Sequence, residues 1–110
     1  MEKVIIKKTK DSPFLTFGNH IGTTLLSYEH GTTKDFSMGI SIYTETEFST
    51  PGIHDVQEVF YVLEGSGYLK LENEEFYIEA GDAFVVKPNT YHTMKKIDEN
   101  STLKLIWIHS

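Results

Sequence analysis

Residues 51–67 have the sequence PGIHDVQEVFYVLEGSG, and this stretch decides the fold. It starts with a Pro-Gly pair and ends in a glycine-rich turn. The run between them is rich in β-branched and aromatic residues, which is typical of a strand. Because side chains alternate along a strand, His54 and Glu58 are expected to project from one face. This pairing of an imidazole with a carboxylate suits a borderline or hard divalent metal.

A second stretch, residues 81–92, has the sequence GDAFVVKPNTYH. It contains a turn, a short apolar strand and a Pro-Asn turn, and it ends in His92. The two stretches together resemble the paired motifs of the cupin family, G-x5-H-x-H-x3-4-E-x6-G and G-x5-P-x-G-x2-H-x3-N. The first motif is matched from its second histidine onward by His54, Glu58 and Gly65. The second motif is matched, with one extra residue before its proline, by Gly81, Pro88 and His92.

The sequence departs from the cupin motifs at three positions. The first histidine of the first motif falls on Gly52, which has no side chain to donate. The glycine of the second motif is Asn89, a residue that enters the left-handed backbone region more easily than most. The closing asparagine falls on Lys96. The histidine pair of the first motif is therefore reduced to one.

The strand pattern of the whole chain indicates an all-β protein. Turn signals separate about ten short strands, with no long helical periodicity and no internal repeat, which favours an antiparallel sandwich or a small barrel. The cupin resemblance narrows this to a double-stranded β-helix, or jelly roll, in a small single-domain cupin of the conserved-barrel type. The domain is expected to cover residues 1–110, with the core motifs in 51–94. Such barrels often pair through an exposed sheet, so a homodimer is expected.

Composition excludes several classes of function. The chain has 110 residues, a formal net charge of −6 and no cysteine, so disulfides and iron–sulfur clusters are excluded. All ten cationic residues are lysine. An acidic chain without arginine is a poor candidate for binding nucleic acid or anionic membranes. Without a signal-like apolar run, the expected location is the cytoplasm.

Residues 36–43 alternate strictly between apolar and small or polar side chains, which predicts a half-buried strand. We expect its apolar set to face the barrel interior. The predicted walls of a ligand pocket are Met38, Ile40, Ile42, Phe60, Met94 and Trp107.

The resemblance implies a divalent metal held by His54, Glu58 and His92. Two histidines and one carboxylate suit non-haem Fe(II), with Mn(II), Ni(II), Co(II) and Zn(II) as competitors. Up to three positions would stay open for substrate and for O2 or water. A replacement ligand from Tyr43, His20 or Gln57 is an alternative. In a degenerate site, the three residues would line a pocket without metal and hydrogen-bond each other or a ligand.

Two functions follow from these alternatives. One is a metal-dependent enzyme on a small organic substrate, for which the resemblance suggests a dioxygenase or a sugar isomerase or epimerase. The sequence identifies no general base. The other is a non-catalytic cupin that binds or senses a small molecule. Stoichiometric metal in the purified protein would favour the first function, and a tightly bound organic ligand without metal would favour the second.

Overall fold

Eight antiparallel strands build residues 3–110, the residues that the computed structural model describes. The strands are β1 (Leu15–Phe17), β2 (His20–Leu26), β3 (Ser37–Tyr43), β4 (Glu58–Leu71), β5 (Glu74–Glu79), β6 (Ala83–Val86), β7 (His92–Lys96) and β8 (Leu103–His109). Two short 3-10 turns cover Thr9–Asp11 and Tyr28–His30. Over these described residues, no helix has the length and apolar character needed to cross a membrane. Met1 and Glu2, which the single-domain prediction includes, lie outside the described residues.

Strand β4 belongs to both sheets of the fold. Its first half pairs with β8 on one side and with β6 on the other. Strand β8 continues through β3 and β2 to β1. The second half of β4 pairs with β5 and β7 and forms the second sheet. Side chains from both sheets meet in one core, as Val62, Leu105 and Met94 show. This curled antiparallel arrangement is the predicted jelly roll.

Gly65 marks the point where β4 passes from one sheet to the other. Its φ angle is 81°, a left-handed value that favours glycine. The pairing of β4 with β8 shifts register just before it, between Val62 and Glu64. A Cβ atom at position 65 would lie 1.7 Å from the carbonyl oxygen of Thr102. Both the backbone conformation and the close approach of the chain therefore require glycine here.

The prediction that Met38, Ile40 and Ile42 face the interior is wrong. The register of β3 with β8 places Gly39 opposite Trp107, and β4 places Phe60 opposite the same tryptophan. Directly paired residues share a face, so the inner side of β3 carries Ser37, Gly39, Ser41 and Tyr43. The apolar set lies on the other side of the sheet, where Met38 and Ile42 are partly exposed and Ile40 is buried, with 7% exposure. Alternation separates the two faces of a strand but does not say which one faces the interior. The usual assumption that the apolar face points inward fails for β3, because its inner face carries mainly small residues.

The glycine at position 65 gives a direct test of the strand crossing. We expect Gly65→Ala to destabilise the protein by roughly 3 kcal/mol, because the left-handed φ and the clash with backbone each cost about 1–2 kcal/mol. Gly52→Ala is the matched control. A Cβ atom at position 52 meets nothing within 4 Å, and φ is not positive. The control should stay within about 0.5 kcal/mol of the wild type in urea denaturation. Equal midpoints for the two variants would contradict this account of the crossing.

Candidate metal centre

One cavity of about 830 Å³ opens between the strands of the barrel. All five histidines of the sequence line it: His20, His30, His54, His92 and His109. Glu58 also lines it, together with the aromatic side chains of Phe60 and Trp107. Histidines far apart in the sequence therefore line the same cavity as one carboxylate and two aromatic side chains.

Glu58 is the first residue of β4 and points inward with Phe60 and Val62. Its side chain is 9% exposed. The Nε2 atom of His109 lies 2.5 Å from Oε2, and the Nε2 atom of His92 lies 2.9 Å from Oε1. The Nε2 atom of His54 is farther, at 3.8 Å from Oε1. The carboxylate therefore lies among three imidazole rings.

These neighbours keep Glu58 ionised despite its burial. Desolvation raises the pKa of Glu58, but the interactions with His109 and His92 outweigh it and lower the pKa to about 2. The Oε1 atom has no hydrogen bond of acceptable geometry, although His92 lies close to it. A buried anionic oxygen of this kind is a ready ligand for a cation.

The tautomer of His92 is set by the backbone. Its Nδ1 atom lies 3.1 Å from the carbonyl oxygen of Thr90, and since a carbonyl only accepts, Nδ1 carries the hydrogen. The neutral ring therefore directs the lone pair of Nε2 at Oε1 of Glu58. Burial lowers the pKa of His92, but its contact with Glu58 and the Thr90 carbonyl raise it above the ordinary value. A proton between the two atoms relieves their repulsion, and a metal ion would do the same.

His54 lies in the loop before β4, and its ring is 43% exposed. Its centroid is 5.3 Å from that of His92 and 5.1 Å from that of His109. The backbone of the loop is held by Asn89, whose N–H donates to the carbonyl of His54 at 2.6 Å. Asn89 has a φ of 62°, so it adopts the left-handed conformation expected at the motif's glycine. Burial lowers the pKa of His54, with Glu58 partly opposing, which favours the neutral ring that a metal requires.

His109 is a candidate ligand that the sequence analysis missed. It lies on β8, directly opposite Glu58 in the pairing of β8 with β4. The donor atoms of His54, Glu58 and His109 all lie within 4.8 Å of one another. A signal was present, because His109 and Trp107 have equal parity on a strand and Trp107 was predicted to face the pocket. The pairing that brings His109 to Glu58 depends on tertiary structure.

Position 52 has no ligand, yet its backbone still shapes the site. Gly52 and His92 exchange two backbone hydrogen bonds of 2.9 Å, which fix the loop against β7. Of the alternative replacement ligands, Tyr43 and His20 line the cavity, whereas Gln57 is not among the lining residues. His109 is therefore the additional histidine closest to the carboxylate.

The other predicted pocket residues divide into three groups. Phe60 and Trp107 line the cavity, and the Trp107 ring centroid lies 4.9 Å from that of His109. Met94 is fully buried in the core and does not line the cavity. Met38, Ile40 and Ile42 are on the outer face of the sheet, as described above.

The donor set fits a divalent transition metal. Three imidazoles and one carboxylate are ligands that Fe(II), Mn(II), Ni(II), Co(II) and Zn(II) accept. Adjacent ligands of a six-coordinate ion, each about 2.1 Å from the metal, lie about 3.0 Å apart. The separation of 2.9 Å between Nε2 of His92 and Oε1 of Glu58 agrees with that value, whereas the 3.8 Å from Nε2 of His54 is longer. The group of donor atoms that lie within 4.8 Å of one another contains His54, Glu58 and His109 and does not include the predicted ligand His92.

Solved structures resemble this fold over nearly the whole chain. The Fe(II) form of HppE matches with a TM-score of 0.82 and 18% identity, over 100% of this chain and 62% of that one. The polyketide cyclase RemF from Streptomyces resistomycificus has a TM-score of 0.79 at 17% identity, over 99% and 79% of the two chains. An RmlC-like cupin from Shewanella frigidimarina has a TM-score of 0.75 at 18% identity, over 100% and 91%. At these identities the likeness shows the fold alone.

Sequence comparisons point to the same family. The chain is 38% identical over 50 residues to the uncharacterized protein MJ1618 of Methanocaldococcus jannaschii. The match covers 46% of this chain and 39% of the relative, so the chain spans well under half of that relative's length. The family model described as the cupin domain matches residues 39–109, which is more than half of the chain. This protein belongs to the cupin family.

Proposed function

We propose that this protein is a metal-dependent enzyme that acts on a small organic molecule bound in its cavity. His54, Glu58 and His92 are the proposed ligands, and His109 is the proposed fourth. One observation carries the proposal. A buried, ionised carboxylate lies among three imidazoles at the wall of a cavity large enough for a small substrate.

The ligand count determines how much of the ion is available for chemistry. If all four side chains bind, a six-coordinate ion keeps two open positions, and if three bind, it keeps three. Such an ion supplies Lewis acidity or a binding position for O2. Phe60 and Trp107 lie beside the donors and restrict water at that side of the cavity. The likeness to a structure of HppE in its Fe(II) form makes iron the first metal to test.

The reaction type has two candidates. The predicted set of two histidines and one carboxylate favours an oxygenase. Participation of His109 removes that preference and makes Lewis-acid chemistry, such as isomerisation of a hydroxy-carbonyl compound, equally suitable. Oxygen uptake by the Fe(II)-loaded protein and solvent deuterium exchange into candidate substrates distinguish the two.

A second candidate function is a non-catalytic cupin that binds or senses a small molecule. The observation in its favour is that His109 and His92 already interact with Glu58 in the protein alone. A cluster of this kind can persist without an ion. In that case, the purified protein would be free of metal and would carry an organic ligand in the cavity.

The outer face of the first sheet supports a homodimer. Its exposed or partly exposed apolar side chains are Met38, Ile42, Val59, Tyr61, Val85, Ile106 and Ile108. Three strands spaced by about 4.8 Å and seven residues long at about 3.3 Å each make a patch of roughly 14 by 23 Å, which the four-residue β6 extends at one edge. Apolar patches of this size mark interaction sites. Because each chain carries a net charge of −6, two copies approach best through a face with few charges. The cytoplasmic location stays a prediction.

Metal binding is tested first by elemental analysis after loading with Fe(II) under anaerobic conditions. We expect about one ion per chain and at least a 100-fold weaker affinity in Glu58→Gln, which removes the central carboxylate. His92→Ala should abolish turnover, and His109→Ala shows whether the fourth donor binds. The control is Glu64→Gln, on the same strand but exposed and outside the cavity. Identical metal content in wild type and Glu58→Gln would refute the proposed centre.

Metal affinity should fall as the pH is lowered. A ligating histidine must be neutral, and the raised pKa of His92 means that protons compete near and above the ordinary value of 6.5. Glu58, with a pKa of about 2, stays ionised throughout this range. Between pH 7.5 and 5.5, ligation by His92, whose pKa lies above 6.5, should make the affinity fall by at least tenfold. Competition with a chromophoric chelator measures this, and a flat profile would contradict imidazole ligation.

The dimer is tested by sedimentation or light scattering. The wild type should have twice the mass of one chain, and Tyr61→Glu should give monomers because it buries an unpaired charge in the interface. Tyr77→Glu is the matched control, since Tyr77 is about as exposed as Tyr61 but lies on β5 in the other sheet. A monomeric wild type, or dissociation by both variants, would contradict pairing through the outer face.

A further inference from the structure

His20 is the first residue of β2 and lies in the same cavity as the proposed ligands. Its neighbour Asn19 is 5% exposed. The Nδ2 atom of Asn19 donates to the carbonyl oxygens of Met94 at 2.7 Å and Glu47 at 3.2 Å. Carbonyls only accept, so these two bonds fix which end of the amide is nitrogen. The Oδ1 atom of Asn19 therefore faces His20.

This orientation determines the tautomer of His20. Its Nδ1 atom lies 3.4 Å from Oδ1 of Asn19, and because Oδ1 only accepts, Nδ1 carries the hydrogen. The Nε2 atom of the neutral ring then carries a lone pair. Burial lowers the pKa of His20, with Glu58 partly opposing, so the ring is neutral at pH 7. His20 thus presents a hydrogen-bond acceptor and no charge.

Tyr43 presents the complementary group. It pairs directly with His20 between β3 and β2, and the two ring centroids are 4.7 Å apart. The residue is 7% exposed and lines the cavity. Its phenolic oxygen takes part in none of the hydrogen bonds among residues 3–110 and is not one of their fully buried unpaired atoms, so it is accessible from the cavity. Burial and the negative charge of Glu58 both raise the pKa of Tyr43, so the phenol keeps its proton and is a donor.

The ring of His20 is held between two aromatic neighbours. Phe17 stacks on it at 5.6 Å between centroids, and Tyr43 lies on its other side. These contacts restrict the position of the His20 ring. An acceptor nitrogen and a donor hydroxyl are therefore carried by two adjacent, packed rings that both line the cavity.

We propose that His20 and Tyr43 form a second binding subsite, which recognises an uncharged hydroxyl group of a small oxygenated molecule whose other end lies at the metal centre. A hydroxyl group uses both partners, because it donates to Nε2 of His20 and accepts from the phenol of Tyr43. A carboxylate or phosphate fits poorly, since it would meet an acceptor and find no positive charge. This subsite rests on the proposed function and defines the substrate class as hydroxylated small molecules.

The probes are three pairs of acids that differ only in a terminal hydroxyl group: 3-hydroxypropanoate and propanoate, 4-hydroxybutanoate and butanoate, and 5-hydroxypentanoate and pentanoate. The carboxylate of each acid occupies the metal end, and the chain length tests the reach to the subsite. Calorimetric titration of the Zn(II)-loaded protein should show that at least one hydroxy acid binds about tenfold tighter than its partner.

Two variants remove the subsite without touching the proposed ligands. In Tyr43→Phe and His20→Ala, the ratio of the two affinities should fall to about one while Zn(II) affinity stays within about twofold. Tyr77→Phe, on exposed β5, is the matched control and should keep the ratio. A general loss of binding would weaken both acids of a pair equally. A merely structural role of either residue would therefore leave the ratio of the two affinities unchanged. An unchanged ratio in both variants, or loss of Zn(II) from either, overturns the proposal.

A measurement without metal or probe tests the subsite independently of the metal centre. The 15N spectrum of the imidazoles should show His20 as the Nδ1–H tautomer at neutral pH, and this should persist in Glu58→Gln. A spectrum with hydrogen on Nε2 overturns the subsite even if the metal binds. Absence of metal binding in the wild type refutes the proposed function instead, while the tautomer still decides the subsite.

Discussion

The burial of one ionised carboxylate is the constraint on which the site depends. An isolated carboxylate in this position would be expensive, because burial disfavours the charged form. Glu58 remains charged because the Nε2 atoms of His109 and His92 lie against its two oxygens. Those imidazoles come from β8 and β7, which pair with opposite halves of β4. The geometry of the carboxylate therefore requires that both sheets are in place.

Strand β4 connects the two sheets and the cavity. Its inward side chains change from Glu58 to Phe60 and Val62, so the polar centre passes directly into the apolar core. The inner face of β3 opposite them carries Gly39 and Ser41, which are too small to fill the barrel. A Cβ atom at position 39 would lie 2.4 Å from the Trp107 ring, so that ring packs directly over the glycine. Trp107 therefore fills the space over Gly39, whereas Ser41 leaves room and lines the cavity.

The first motif has glycine in place of one histidine, yet the site still contains four candidate donor side chains, because a histidine outside the motifs lies beside Glu58. Gly52 keeps the backbone contact with His92 that its loop needs, and it has no side chain to offer. His109 reaches Glu58 from the neighbouring strand instead. The donors are spread over three segments, the loop before β4, β7 and β8, around the first residue of β4. Such a site depends on strand register more than on motif spacing, because a shift of one residue would turn His109 to the outer face.

The sequence by itself determined the jelly-roll fold, the two motif stretches and the side chains of His54, Glu58 and His92 as candidates, because strand parity and turn residues act over short distances. Phe60 and Trp107, which it predicted as pocket walls, line the cavity. Only the tertiary structure decided which face of β3 looks inward, since alternation is symmetric between the two faces and Gly39 and Ser41 gave no apolar signal. Only the tertiary structure brought His109 to Glu58 and His20 to Tyr43, because these contacts join residues distant in sequence through strand pairing, which local patterns do not specify.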